Sequence, residues 1–125
     1  MANGLFGQVW AEERTTVEIK NLTVTNGSIG GGDQTSGYYG SIAGDITTRG
    51  GTVNLTDCHN KGVKVKGSNI TANTSCMTGG IVGRIYAVTT ATEEGKITIK
   101  DCTNSENIQG GISNIGQMAR IYTGG

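Results

Sequence analysis

GLFGQV (residues 4–9) returns along the chain as SIAGDI (41–46), GIVGRI (80–85) and GQMARI (116–121). Each of the first three is followed by a second shared segment, which reads TVEIKNL (16–22), TVNLTDC (52–58) and KITIKDC (96–102). The copies begin 37, 39 and 36 residues apart. A period between about 20 and 50 residues indicates a stacked repeat architecture, in which each unit buries its apolar face against its neighbours.

The first segment alternates with the period of two that is typical of a strand. One side carries Leu5, Gly7 and Val9, and the aligned copies place Ile42, Gly44, Ile46 and Ile81, Gly83, Ile85 on it. We expect this side to face inward, with the glycine allowing an opposite strand to come close. Stacking in register predicts two aliphatic columns, one of Leu5, Ile42 and Ile81 and one of Val9, Ile46, Ile85 and Ile121.

The second segment also alternates, and then its inward side changes at an Asn or Asp. Val17 and Ile19 share one side, whereas Leu22 returns to it three residues later. The residues before the change are Asn21, Asp57 and Asp101 in the three copies. Asn and Asp tolerate unusual backbone angles and bond locally to the main chain, so a corner is predicted there. A third short strand is predicted at 28–29, 62–65 and 107–108.

Three short strands with corners make one turn of a parallel β-solenoid. The sequence therefore predicts an all-β, right-handed parallel β-solenoid (β-helix) of about three coils, with the hand following the general preference of parallel crossovers. Residues 1–125 form a single domain, with repeats at about 4–40, 41–79 and 80–115 and a partial repeat at 116–125. Loops are expected at the corners, at 11–14, 48–50 and 87–95 and at 31–39, 68–78 and 111–114.

The composition favours short strands and turns over helices, since the chain has 22 Gly, no Pro and 5% aromatic residues. Ten basic residues balance ten acidic ones, without a long run of either sign. Nucleic acid is therefore an unexpected partner, because its phosphates require a basic surface. No stretch approaches the roughly 20 apolar residues of a membrane span, so membrane insertion is not expected.

The three cysteines are an odd number, so at least one thiol has no partner within the chain. Cys58 and Cys102 occupy the repeat position that Leu22 fills in the first copy. This favours buried free thiols that act as small apolar side chains. A disulfide between stacked coils is the alternative. Neither the CxxC spacing of zinc sites nor the aspartate-glycine nonapeptide of calcium-binding solenoids occurs, so no metal and no cofactor are expected.

GLFG at residue 4 and GIVG at residue 80 are each followed by a hydrophobic strand, and CHNKGVKV (58–65) and CTNSENI (102–108) follow later in the second and third copies. This pattern resembles the GLUG-motif repeats of bacterial surface proteins over nearly the whole chain. SIAG (41–44) lacks the first glycine of the motif, and GQMA (116–119) lacks the last. The resemblance implies a β-rich, extracellular, adhesin-like module at a bacterial cell surface.

Two constellations with catalytic side chains have simpler explanations. Cys58 and His59 are neighbours on a strand and point to opposite sides, so they do not form a nucleophile pair. Asp57 and Asp101 stack in adjacent copies at a spacing that a retaining glycosidase uses. Asn21 fills the same position in the first copy, so turn geometry accounts for both carboxylates. We expect no catalytic residue.

The outward side of the first strand carries rows of aromatic and polar residues, which suit a sugar or a protein partner. The candidate ligand-binding residues are Phe6, Trp10, Arg84, Tyr86, Arg120 and Tyr122. Asp45 is expected to pair with Arg84 as an exposed ion pair worth well under about 1 kcal/mol. The simpler explanation, which we favour from the sequence, is that the corner loops fold over this stripe and cover it as a second small core.

The most favoured function is a non-catalytic structural or adhesive module of a bacterial surface protein, which displays loops or the aromatic face to a glycan or protein. The alternatives are a carbohydrate-active enzyme domain and a spacer that binds nothing. Neither end of the repeat array carries a recognisable cap. We therefore expect a segment of a longer protein, or a module that stacks end to end with neighbouring repeats or chains.

Overall fold

A computed structural model describes residues 2–34, 37–70, 75–113 and 120–124, and this part of the chain is all-β. It contains no helix, and hence none of the length and apolarity that crossing a membrane would take. Its strands are β1 (Ala2–Asn3), β2 (Phe6–Ala11), β3 (Thr16–Val24), β4 (Gly27–Gly30), β5 (Asp33–Gln34), β6 (Gly37–Tyr39), β7 (Ala43–Arg49), β8 (Thr52–Asn60), β9 (Val63–Lys66), β10 (Asn69–Ile70), β11 (Ser75–Gly79), β12 (Val82–Val88), β13 (Lys96–Lys100), β14 (Thr103–Asn104), β15 (Ile108–Gln109), β16 (Ile112–Ser113) and β17 (Arg120–Gly124).

These strands form five sheets in which the described pairings are parallel, and the sheets do not close into a barrel. Each of the three copies contributes to four of the sheets, whereas the fifth contains β6 and β11 of the first two copies, β1 ahead of them and β17 in the partial repeat. In sequence order the sheets contain β2, β7 and β12; β3, β8 and β13 with β14; β4, β9 and β15; β5, β10 and β16; and β1, β6, β11 and β17. Equivalent strands of successive copies therefore lie side by side, about 4.8 Å apart.

The prediction of three strands per copy is incomplete, since two of the five sheets lie where loops were expected. β5 and β6 fall within residues 31–39, and β10 and all but the last residue of β11 fall within residues 68–78. These strands are only two to five residues long. Their Gly, Ser, Asn and Thr residues give little apolar alternation, so the side-chain pattern does not predict these strands. Their backbone pairing with the neighbouring copies identifies them.

The register between copies confirms one predicted column and corrects its end. Val9 pairs with Ile46 and Ile46 with Ile85. The predicted continuation to Ile121 is wrong, because β17 pairs with β11 and places Ile121 beside Cys76. Tyr122, Thr123 and Gly124 lie beside Met77, Thr78 and Gly79, so residues 120–124 correspond to the end of the second copy. The similarity of GQMARI to GIVGRI is therefore not a structural equivalence at Arg120 and Ile121.

The core lies between the sheets, and the middle copy is buried most completely. Ile42, Ile46, Val53, Leu55 and Cys58 are fully buried. Leu5 and Ile85, the equivalents of Ile42 and Ile46 in the outer copies, are about half exposed. Inward side chains of the outer copies have a neighbouring copy on one side only and are generally less covered, although Val9 of the first copy remains buried. Beyond the third copy an open cavity of 580 Å³ is accordingly lined by Ile81, Ile85, Ile99 and Cys102, among other residues.

Gly7, Gly44 and Gly83, called the glycine column below, face inward, as predicted. A Cβ atom on Gly44 would overlap the backbone N of Asn3 and lie 2.8 Å from the backbone O of Tyr38. A Cβ atom on Gly83 would lie 2.9 Å from the backbone C of Tyr38. Strands of a second sheet therefore approach the first strand at the point where it has no side chain.

The corner prediction is also confirmed. Asn21, Asp57 and Asp101 have φ angles of 56°, 52° and 54°, in the left-handed region. Asn and Asp enter this region more easily than other residues with a Cβ atom. Leu22 and Cys58 then return to the inward side, and both contribute to the hydrophobic core.

Replacing Gly44 with Ala should lower the free energy of unfolding by about 1–3 kcal/mol, since the added methyl group meets backbone rather than a movable side chain. The matched control is Gly124→Ala, because a Cβ atom there has no other atom within 4 Å. Urea denaturation followed by circular dichroism measures both. Equal midpoints for the two variants would contradict the close approach at Gly44.

Replacing Asp101 with Val should cost about 1–2 kcal/mol of unfolding free energy, because a β-branched residue is strained in the left-handed region. Asp101→Asn is the control, since Asn already holds the equivalent corner at position 21. Its urea midpoint should stay close to that of the parent chain. A Val variant as stable as the Asn variant would argue against a left-handed corner.

Candidate functional site

The candidate site lies on the outward side of β2, β7 and β12, which is called the outer face below. Three in-register rows cross this face from copy to copy. The rows are Phe6, Ala43, Val82; Gln8, Asp45, Arg84; and Trp10, Thr47, Tyr86. The structure thus brings together four of the predicted binding residues, namely Phe6, Trp10, Arg84 and Tyr86.

The Asp45 carboxylate is the centre of this face and accepts four hydrogen bonds. Gln8 Nε2 and Thr47 Oγ1 each donate to Oδ2 at 3.1 Å. Arg84 donates to both oxygens, with its Nε 2.8 Å from Oδ1 and its Nη2 2.9 Å from Oδ2. Such a bidentate contact is the strongest arrangement for a guanidinium and a carboxylate.

The predicted partnership of Asp45 and Arg84 is confirmed, whereas its predicted exposure is wrong. The Asp45 side chain is only 2% exposed, while that of Arg84 is 30% exposed. Asp45 belongs to the middle copy, so Gln8 and Arg84 cover it from the neighbouring strands on both sides. A buried carboxylate with four donors depends on its partners far more than an exposed one does.

The Arg84 guanidinium also contacts Tyr38. Its Nη1 donates to the Tyr38 hydroxyl at 3.2 Å, and its central carbon lies 4.2 Å from the centre of the Tyr38 ring. The Tyr86 ring centre lies 5.8 Å away on the same face. Arg84 therefore joins β12 to β6 and β7, and each of its three nitrogens donates at least one hydrogen bond within the chain.

Burial by itself raises the pKa of Asp45, but the hydrogen bond and the charge of Arg84 outweigh it, with help from Thr47 and Gln8. The net result is a pKa below the ordinary value. The same contact raises the pKa of Arg84, against the opposing effect of its own burial. Asp45 and Arg84 are consequently both ionised at neutral pH, and their charges cancel.

The aromatic side chains of the outer face remain open to solvent. Phe6, Trp10 and Tyr86 are 39%, 47% and 56% exposed. The expectation that corner loops cover the stripe is therefore wrong for these three residues. Trp10 Nε1 donates to Glu12 Oε1 at 2.7 Å, which holds the indole in one orientation. Thr47 lies between Trp10 and Tyr86 in its row and is 3% exposed, so larger side chains enclose it.

Arg120 and Tyr122 do not continue the rows of the outer face. β17 pairs with β11, and this places the Tyr122 backbone beside Met77 and, one strand further, Tyr38. The side chains of Arg120 and Tyr122 lie outside the described part of the structure. Tyr38 and Thr47 are instead the two residues that sequence reasoning missed. Thr47 could have been identified from the sequence, because it aligns with Trp10 and Tyr86 in the repeats.

Asp57, His59 and Thr103 form an exposed chain of hydrogen bonds on the sheet that contains β8 and β14. His59 Nε2 lies 2.7 Å from Asp57 Oδ1, and His59 Nδ1 lies 2.7 Å from Thr103 Oγ1. Cys58 is fully buried and contacts the backbone of Ile19, so its side chain lies on the other side of the strand from that of His59, as predicted. Neither of the two cavities described for this chain is lined by Asp57, His59 or Thr103.

The three cysteines carry free thiols. Cys58 donates to the backbone O of Ile19, and Cys102 to that of Leu55, so each sulfur contacts the copy before its own. Burial raises the pKa of the Cys58 thiol. Within the described ranges, no three His, Cys, Asp or Glu side chains come together in a way that could hold a metal ion.

Comparisons with protein-family models, with curated proteins and with solved structures found no match to this chain.

Replacing Asp45 with Asn should lower the unfolding free energy by about 1–3 kcal/mol at pH 7, because the buried site then places an amide against the Arg84 donors. The pKa of Asp45 is lower in the folded chain than its unfolded value of about 3.9. The stabilisation is thus present above that pH and is lost as the pH falls through the folded pKa.

Urea midpoints at pH 7 and at about pH 2–3 measure this effect, and the gap between the parent chain and Asp45→Asn should shrink at the lower pH. Glu18→Gln is the matched control, since this carboxylate is about half exposed and lies 3.8 Å from Lys20. Its midpoint should change little at either pH. A constant gap for Asp45→Asn across the range would argue against an ionised, buried carboxylate.

Proposed function

We propose that the chain is a right-handed parallel β-solenoid of about three coils that serves as a non-catalytic adhesive module, with the outer face as its binding surface. Its location is a bacterial cell surface, as the resemblance to GLUG-motif repeats implies. The partner is a glycan or a protein that packs on Trp10 and Tyr86. The observation that carries the proposal is the exposure of these two rings on a face whose charges are neutralised internally.

The stacked copies support the solenoid. Strands of successive copies lie side by side in parallel sheets, and the middle copy buries its inward residues between its neighbours. Parallel strands of one sheet require a crossover between them, and crossovers are right-handed in nearly all known cases. A solenoid presents its outward rows on a rigid surface, which limits the entropy lost on binding.

The aromatic rings support the adhesive role. Large rings that stay exposed are suited to binding, because they supply contact area with few rotatable bonds. Trp10 is held by Glu12, and the Tyr86 ring lies near the Arg84 guanidinium. A spacer that binds nothing would have no use for two oriented and exposed rings on one row.

Two observations argue against proposing the enzyme alternative. Asp57 and Asp101 hold left-handed corners, and Asp57 is already bonded to His59. The Asp57–His59–Thr103 chain has the order of an orienting acid, a base and a nucleophile, but the cavities described for this chain are not lined by these residues. A carbohydrate-active enzyme needs a cleft in which such groups converge.

Trp10→Ala and Tyr86→Ala should each weaken binding about tenfold or more, since buried aromatic anchors dominate contact surfaces. Arrays of glycans and of surface proteins identify the partner, and titration measures the loss. Lys20→Ala is the control, because Lys20 is exposed on a different sheet, and it should bind as the parent chain does. Binding that survives both aromatic changes, or new reducing ends released from a bound glycan, would contradict the proposal.

A further inference from the structure

The row of Trp10, Thr47 and Tyr86 runs along the stacking direction, so the backbones of its two aromatic residues have a defined separation. The three residues are Cα partners across β2, β7 and β12. Trp10 and Tyr86 are therefore two strand spacings apart, or about 9.6 Å. From this geometry we infer that the outer face binds a neutral, extended polysaccharide of equatorially linked sugars, whose chain lies along the row. The inference rests on the proposed function and names its ligand class.

The spacing of the rings matches this ligand class. A chain of equatorially linked pyranose sugars is a flat ribbon, in which every second ring presents the same face to one side. The length of two sugars in such a ribbon is close to the separation of Trp10 and Tyr86. One ring can then stack on one sugar and the other on the sugar two places further. Axially linked chains curve and do not keep this spacing.

The row between the rings is also shaped for a flat ribbon. Thr47 is almost fully buried and turns its hydroxyl to Asp45, so nothing tall stands between the two rings. Each ring has a polar group beside it, which is Glu12 for Trp10 and the ring hydroxyl for Tyr86. Carboxylates and hydroxyls bond sugar hydroxyls, whereas the ring faces contact the C–H groups of the sugar.

The charges of the outer face favour a neutral ligand. The carboxylate of Asp45 and the guanidinium of Arg84 neutralise each other, and Arg84 gives its remaining end to Tyr38. The positions two residues beyond the aromatic row hold one charge of each sign, Glu12 just after β2 and Arg49 at the end of β7. An anionic polymer would therefore meet a carboxylate for each cation that it approached.

The test uses purified chain with neutral probes of defined linkage and length. Insoluble β-1,4-glucan and chitin are the polymers, and β-1,4-linked glucose oligomers of two and six sugars are the soluble ligands. Soluble starch is the axially linked control, and heparin is the anionic one. We expect binding to the β-linked probes, with the six-sugar oligomer at least about tenfold tighter than the two-sugar one, because only the longer oligomer reaches both rings.

The variants separate the two rings from the neighbouring charge. Trp10→Ala or Tyr86→Ala should reduce the affinity for six sugars to that for two, while Trp10→Phe should retain most of it, because Phe keeps a ring at that position. Arg49→Gln should have no effect, and binding should persist in about 0.5 M salt, where exposed charges are screened. Circular dichroism and urea midpoints show that each variant is folded.

Two results would overturn the inference and leave the proposed function intact. One is binding to heparin that depends on Trp10 or Tyr86, is lost in salt and falls in Arg49→Gln. The other is ring-dependent binding to a protein or to starch rather than to β-linked probes. If the chain binds none of the glycans or surface proteins through these rings, the inference and the proposed function both fail.

Discussion

Parallel pairing in register is the constraint on which the rest of the structure depends. It places each position of one copy directly beside the same position of the next, so apolar side chains form columns and outward side chains form rows. A shift of one residue would turn every side chain of a strand to the opposite face. The glycine column resists such a shift, because a side chain at Gly44 would meet the backbone of Asn3 and Tyr38. The left-handed corners at Asn21, Asp57 and Asp101 resist it a second time.

Stacking in register also dictates which residues can share a row. Identical charges would repel one another at about 4.8 Å, and identical large side chains would compete for the same space. The rows of the outer face avoid both problems by varying from copy to copy. Asp45 lies between Gln8 and Arg84, and Thr47 lies between Trp10 and Tyr86. The positions at which the copies differ in sequence are therefore the ones that give the outer face its ion pair and its exposed aromatic rings.

Much of this could be predicted from the sequence, because alternation and recurrence are local signals. They gave β2, β7 and β12, the inward glycines and the corner residues. The buried state of Asp45 could not be predicted, since it depends on four donors from three residues in three strands. Tyr38 was missed because β6 has three residues and no apolar alternation. The position of β17 was mistaken because Arg120 and Ile121 match Arg84 and Ile85 in letters, while pairing follows the tripeptide Tyr-Thr-Gly at 122–124.

The position of β17 bears on how the stack could grow. A shift of one copy maps β1 onto β6, β6 onto β11 and β11 onto β17. A second chain that continued the stack beyond β12 would thus bring its own β1 to the place that β17 already holds. β17 has five paired residues and β1 has two, so β1 would be displaced more easily than β17. End-to-end growth would therefore require the local release of β1, whereas the three rows of the outer face come from β2, β7 and β12 of one chain.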